Sequence, residues 1–511
     1  MTEIQTIYKE ASKETVENLI VNSSKVNEKL YENIIEDLSL LHKQNADAPR
    51  LLRLAVELRI DVRFILIDLL ISLRGCLNGT YTFEKCYHIK NLEGIRVEGC
   101  RLLLGYGEER KDAVWTKFGF ELRQEYDRSV NSKKALLYEK LVAIYDMVST
   151  KVSSMQTTYE ERKSRNLTYH YDDDLYKVYK QLLRVKDKGE NDSIKGVIPW
   201  MDALLWIQIL CETVEKVEPS QGNTTSKETS FHHFDINVIQ LNLFKQIVAE
   251  FSKNVQLKTI LDKVLKNIDS VDWAAREKQK LGRLEDWLDG NFTKQNKPKT
   301  IKDIKDLMNV YLLVNMSFAD MACVVRALVN AETQIEYPLI FRRLLVSKVA
   351  TLGHLVGYND AEKGNAIWTI IQKSVPTDAS NLKTEAAEIR KELEHLIKYE
   401  DVKQRGLYVH YFDRNASVSN VPRILENVEE IDALSEIRDN STFIRIIGRI
   451  LTFLLTLMTE FSIREVMATK ASNIKMRSKV KRYRRLLSNA KCPIELRRSL
   501  NTTLDQIEQF F

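Results

Sequence analysis

At 511 residues the chain exceeds what one ordinary hydrophobic core organises, so two or more domains are expected. Only 8 Pro and 17 Gly beside a 44% hydrophobic fraction exclude wholesale disorder and point to a nearly all-α protein. The net charge of +6 is uneven: Arg464 to Arg498 holds twelve Lys or Arg against two Glu, so the rest of the chain is slightly acidic.

Residues 1 to about 45 carry interrupted helical periodicity, as in Leu30, Ile34, Ile35, Leu38 and Leu41. Asn45 to Pro49 breaks it. Leu51 to Leu77 is apolar on most faces, with charges at Glu57, Asp61 and Asp68, which suits the centre of a bundle. Asn78-Gly79-Thr80 ends it. A further helix runs to about Leu104, a turn follows at Gly105-Tyr106-Gly107, and a helix from near Lys111 includes Trp115. A long helix from about Ser132 to Lys163 leads into Arg165-Asn166-Leu167-Thr168-Tyr169-His170. Helices over Leu175 to Val185 and Trp200 to Val214 come next. The polar, Ser/Thr-rich stretch ending at Asp235 is a linker. It divides the chain into 1–218, a linker at 219–235, 236–464 and a basic helical extension at 465–511.

Beyond the linker the features recur in order. Asp68, Arg74 and Asn78 spell D-x5-R-x3-N, and so do Asp320, Arg326 and Asn330, 252 residues later. Gly105-Tyr106 and Gly357-Tyr358 share that offset, Trp115 and Trp368 differ from it by one, and the apolar helix Phe443 to Met458 lies where Val197 to Cys211 lay. Arg165 and His170 return as Arg405 and His410, within Arg405-Gly406-Leu407-Tyr408-Val409-His410. The order predicts an internal duplication of a unit longer than a short-period repeat.

With Arg-x4-His in both halves, the sequence resembles the HEPN superfamily of helical nucleotide-binding domains. Their hallmark is R-x4-6-H, often with a polar residue after the Arg. Arg165-Asn166 fits that form; Gly406 departs from it. The resemblance implies two tandem helical bundles forming an intramolecular pseudo-dimer. One composite site would then be built from Arg165, His170, Arg405 and His410, acting as a metal-independent endoribonuclease in the manner of toxins or antiviral effectors. RNA would be the substrate, with a regulatory protein or antitoxin and a homo-oligomer as further partners, and no cofactor.

The residue chemistry agrees with that expectation. Cutting RNA without metal needs a base for the 2′-hydroxyl proton and an acid for the leaving oxygen, and histidine serves in either role. An arginine fork suits the phosphorane-like transition state. On a straight helix Arg and His would be about 500° apart, so a bent or frayed helix end is needed to bring both into one cleft. Asn166 could hold His170 or a phosphate oxygen. Asp68 and Asp320, carboxylates in apolar helices, must be paired. They either orient the motif arginines or satisfy Arg74, Arg326 or another core group. Tyr169, Tyr171, Tyr408 and Tyr411 either stack on bases or pack in the core. Trp115 and Trp368 are packing anchors.

The basic tail offers Arg477, Lys479, Lys481, Arg482, Arg484 and Arg485 to RNA phosphates, or forms a solvated face. Asp172-Asp173-Asp174 reads as a solvated helix N-terminus, and His232-His233 has no neighbouring ligand residues, so no metal site is expected. Six cysteines, at 76, 86, 100, 211, 323 and 492, show no C-x-x-C pair, which fits reduced, buried thiols in a cytoplasmic protein. No signal peptide opens the sequence, and Ile446 to Met458 is short for a bilayer span. P-loop, dinucleotide-binding, H-E-x-x-H and nucleophile-elbow patterns are missing. Two other readings stay open: a non-catalytic helical module binding RNA or protein, with its second motif degraded at Gly406, and a purely structural duplicated bundle.

Overall fold

The computed structural model describes residues 22–43, 49–130, 134–157, 190–217, 299–333, 336–358, 366–397, 405–413, 418–429 and 433–468, positions 162 and 259, and short pieces between 480 and 505. The linker at 219–235 lies outside the described residues.

The described fold is helical, as the scarcity of breakers predicts. Its helices are α1 (Ser23–Lys43), α2 (Arg50–Asn78), α3 (Thr82–Leu104), α4 (Val114–Ser129), α5 (Ala135–Ser154) and α6 (Glu190–Val217). After the linker come α7 (Lys299–Val329), α8 (Glu336–Val356), α9 (Ile367–Ser374), α10 (Ser380–Leu396), α11 (Val421–Glu429) and α12 (Ala433–Ala468). Among the described residues one small strand pair is an addition to the sequence reading. It joins β1 (Phe412–Asp413) and β2 (Val418–Ser419) antiparallel, with Phe412 opposite Ser419.

Helix α2 is the hub of the N-terminal bundle. Pro49 precedes it, where a missing N–H costs nothing, and Gly79 follows it. Its apolar residues lie on every side, and it packs against α1, α3, α4 and α6. Phe64, Ile65, Ile67 and Leu69 are fully buried, and each such side chain stabilises the fold by about 1.5–3 kcal/mol. The buried arginines of α2 are paired. Asp37 of α1 receives both Arg59 and Arg63, and Glu212 and Glu215 of α6 complete the cluster. After the linker, α7 takes the same central position, packed against α8 and α12.

Two glycine turns explain the Gly-Tyr landmarks. Gly105 and Gly357 end α3 and α8 with φ of +64° and +79°. Their N–H groups bond back to Arg101 O and Gly353 O, each at 2.9 Å. A Cβ at Gly105 would stand 2.7 Å from Glu109 O. The two tryptophans are buried anchors. Trp115 Nε1 donates to Ser149 Oγ at 3.1 Å and stacks on Tyr145, whereas Trp368 Nε1 donates to Ala386 O at 2.8 Å and meets Phe453.

The helix expected from Ser132 to Lys163 stops at Ser154, where Met155 and Gln156 N–H groups turn back to Val152 O and Ser153 O. By length and composition, Gly196–Val217, Asp306–Val329 and Arg438–Glu460 are long and apolar enough to cross a membrane. In the fold these three segments lie against other helices, and 50%, 67% and 44% of their most apolar windows is buried. Cys76, Cys86, Cys100, Cys211 and Cys323 are buried and outside any disulfide, and burial pushes the thiols of Cys211 and Cys323 up.

Candidate functional site

The two halves of the chain meet where α2 and α3 face α7 and α8. Arg74 Nη2 of α2 binds Glu336 Oε2 of α8 at 2.7 Å, and Arg326 Nε of α7 binds Glu84 Oε1 of α3 at 2.8 Å. Each partner in the second pair stands 252 residues from its counterpart in the first. Glu84 and Glu336 also reach back to cap their own helices. Glu84 Oε2 accepts the N–H groups of Thr80 and Tyr81, and Glu336 Oε2 accepts those of Glu332 and Thr333.

A second exchange lies deeper. Asp68 of α2 receives Arg342 of α8 at 2.5 Å, and Asp320 of α7 receives Lys90 of α3 at 2.5 Å. Lys90 and Arg342 are again 252 residues apart. Asp68 is the more heavily loaded carboxylate. Arg343 Nη2 donates to its Oδ1 and its backbone O, both at 3.2 Å, and the Tyr411 hydroxyl donates to Oδ2 at 2.5 Å. Burial works to raise its pKa, but Arg342, Arg343 and Tyr411 outweigh that and hold it below the ordinary carboxylate range.

Residues 405–409 form one short helical turn, and His410 ends it with its N–H on Gly406 O at 3.2 Å. His410 is therefore at the end of that turn. The Arg405 guanidinium lies 5.7 Å from the centre of the Tyr358 ring. His410 Nδ1 stands 3.3 Å from Glu98 Oε2 of α3, and Asn420 Nδ2 donates to His410 O at 2.9 Å. The Glu98 side chain is 5% exposed and that of His410 is 35% exposed, so a buried carboxylate backs a solvent-reachable imidazole. Gly406 faces open space.

A cavity of about 70 Å³ opens between these elements. Its wall includes Asp68, Lys90, Glu98, Asp320, Arg342 and Arg343, with Tyr408 and Tyr411 closing one side. Both tyrosines are buried at 3% exposure, so they pack in the core and offer no open face to a base. Phe64 of α2 meets Tyr411 edge to face at 5.5 Å and carries the Arg342 guanidinium at 5.1 Å. Below the hairpin, Ser419 Oγ donates to Asp61 Oδ1 at 2.5 Å. Burial drives the Asp61 pKa well above the usual carboxylate range, with the Ser419 bond acting in the other direction.

Of the residues singled out in the sequence, Arg405, His410, Asp68 and Asp320 fall at this seam. Arg165, Asn166 and His170 lie outside the described residues, as do Tyr169, Tyr171, Asp172 to Asp174, His232, His233, Arg477 and Lys479. Lys481, Arg482 and Arg485 are exposed on a helical piece, and Arg484 there pairs with Asp505 at 2.6 Å. Sequence reading missed Glu98, Lys90, Arg342, Arg343, Glu84 and Glu336. The signal was present for four of them, since Glu84 with Glu336 and Lys90 with Arg342 fall on the same 252-residue offset as the landmarks. It also missed Arg162, whose guanidinium lies 4.5 Å from the ring centre of Tyr106, the counterpart of Tyr358. Among the described residues no group of three or more His, Cys, Asp or Glu side chains gathers as a metal site.

Comparison with known protein families, with curated proteins and with solved structures returns no match. The class defined by fold and site is an all-α protein with a charged, cavity-bearing seam between its two halves.

Proposed function

We propose that the chain is a fused pseudo-dimer of HEPN-type helical units that cuts RNA without a metal, at the seam between its halves. One observation carries the reading. Two kinds of ion pair are exchanged reciprocally across the seam, each member standing 252 residues from its counterpart in the other pair, as they would be across the two-fold axis of a dimer. Arg405 and His410 lie beside that seam, and His410 is reachable from solvent.

In this reading His410 takes the proton of a 2′-hydroxyl, O2′ bonds to phosphorus, and the P–O5′ bond breaks. A second imidazolium, that of His170, protonates the leaving oxygen. The products are a 2′,3′-cyclic phosphate and a 5′-hydroxyl. Arg405 and Arg165 stabilise the charge of the transition state. Exposed Lys481, Arg482 and Arg485 add a phosphate-binding surface.

The test is incubation of end-labelled RNA with the full chain in EDTA, beside a 2′-deoxy strand of the same sequence. Cleavage of RNA alone, ending in cyclic phosphate and lost in both His410→Ala and His170→Ala, is the expected result. Cleavage that survives both substitutions removes these residues from the chemistry. A non-catalytic binding module is the second reading. The position of Arg405 against the Tyr358 ring favours it, because that guanidinium is already engaged. RNA bound without cleavage would select it.

A further inference from the structure

The cavity, the charged seam, the buried His88, the exposed apolar side chains of α4 and α5 and the basic tail each invite a role. The Glu98–His410 contact carries an inference furthest. An imidazole that is to accept a proton through one nitrogen needs its other nitrogen protonated and held. His410 Nδ1 faces the carboxylate of Glu98 at 3.3 Å, and that carboxylate sits on a rigid helix, buried, in the other half of the chain. The backbone is held as well, by Asn420 on His410 O and by the 406–410 turn. The imidazole is thus anchored on its Nδ1 side, and its side chain is 35% exposed.

We propose that Glu98 is the positioning residue of His410: its carboxylate accepts the Nδ1 proton and so leaves the Nε2 lone pair free to take up the proton of the substrate 2′-hydroxyl. The transfer step rests on the ribonuclease reading above; the choice of tautomer does not. The step balances as already written, with Nε2 gaining the proton that O2′ loses as the O2′–P bond forms and P–O5′ breaks. Glu98 keeps its charge throughout and exchanges no proton.

The position 252 residues beyond Glu98 is Ala350, which lines the same cavity and has no side-chain acceptor. Among the described residues the carboxylate contact is made to the motif that carries Gly406, and on that contact the base role of His410 rests.

The experiment uses the full chain with 15N-labelled histidine. Long-range 1H–15N spectra report the tautomer of each ring, and the His410→Gln spectrum assigns the His410 signals. The expected wild-type signature is a neutral ring with its proton on Nδ1. Glu98→Gln, whose amide can donate as readily as it accepts, should lose that bias. RNA cleavage should then fall about a hundredfold, the scale of a misdirected general base, with KM for RNA within twofold. Glu98→Asp should recover part of both. A wild-type His410 ring protonated on Nε2 overturns the assignment without any variant. So does a Glu98→Gln protein with unchanged tautomer and unchanged rate. A wild type that holds the Nδ1–H tautomer yet cuts no RNA supports the positioning role and rejects the ribonuclease reading, so the two failures are distinguishable.

Discussion

Lys90 of α3 holds Asp320 of α7 at 2.5 Å, both nearly buried and from opposite halves of the chain. Removing the cation from a buried carboxylate costs far more than the pair contributes net, because the remaining charge keeps its desolvation penalty. Lys90→Met should therefore lose about 3–5 kcal/mol in urea unfolding. Adding Asp320→Leu to it should restore much of that loss. A double variant as unstable as the sum of the two singles would show that the residues do not act as a pair.

Acid should weaken the seam before the ordinary carboxylates titrate. His88 is fully buried, and its pKa is lowered to about 3 by burial first and then by Arg343 and Arg74. The folded value lies below the unfolded one, so the unfolded chain binds the extra proton between them. The contribution of His88 to stability is fully present above about pH 6.5 and declines below it by up to about 1.4 kcal/mol per unit. His88→Leu should flatten that decline between pH 6 and 4, read as the difference in Tm between variant and wild type. Equal slopes would assign the acid sensitivity elsewhere.

Asp61 has the opposite sign. Its folded pKa is raised by burial, so the folded state favours the neutral acid and loses stability as pH rises above the unfolded value of about 4. Asp61→Asn keeps the shape and accepts from Ser419 without that loss. It should stabilise the protein at pH 7, where the wild-type carboxyl is held neutral against its tendency to ionise, and by little at pH 4. Thermal melts at the two pH values check this, and a destabilised variant at pH 7 would mean that the carboxylate is ionised in the fold.

Gly406 can take a side chain. A Cβ there meets nothing within 4 Å, and its backbone is not among the glycines with positive φ. Gly406→Asn should stabilise the turn by roughly 0.3 kcal/mol through helix propensity. It gives the second motif the polar residue that the first has at Asn166, and under the ribonuclease reading RNA cleavage should rise severalfold. Unchanged cleavage would show that the glycine is no defect in the site.

The helical class was legible because breakers are rare and the apolar residues follow a 3.6-residue rhythm. The landmarks Asp68, Arg74, Asp320 and Arg326 were legible as repeats, but their partners were not. A buried charge in a helix announces that it needs a counter-ion without saying which of many Lys or Arg supplies it. Here the answers came from the other half, as with Asp68 and Arg342, 274 residues apart. Glu98 could not be found that way, since its counterpart at 350 is alanine. The end of α5 at Ser154 was missed because the amphipathic pattern continues beyond the residue where the chain turns.

The joining of Glu98 to His410 sets an order of events during synthesis. The contact spans 312 residues. At about 5–20 residues per second, α3 leaves the ribosome roughly 16–60 s before its imidazole exists. For that interval the nascent chain displays a carboxylate with no ring to hold. Glu98 is made first and waits for its partner, so under the ribonuclease reading an incomplete chain carries no finished site, and RNA near the ribosome would meet the assembled pair only after most of the protein has been made.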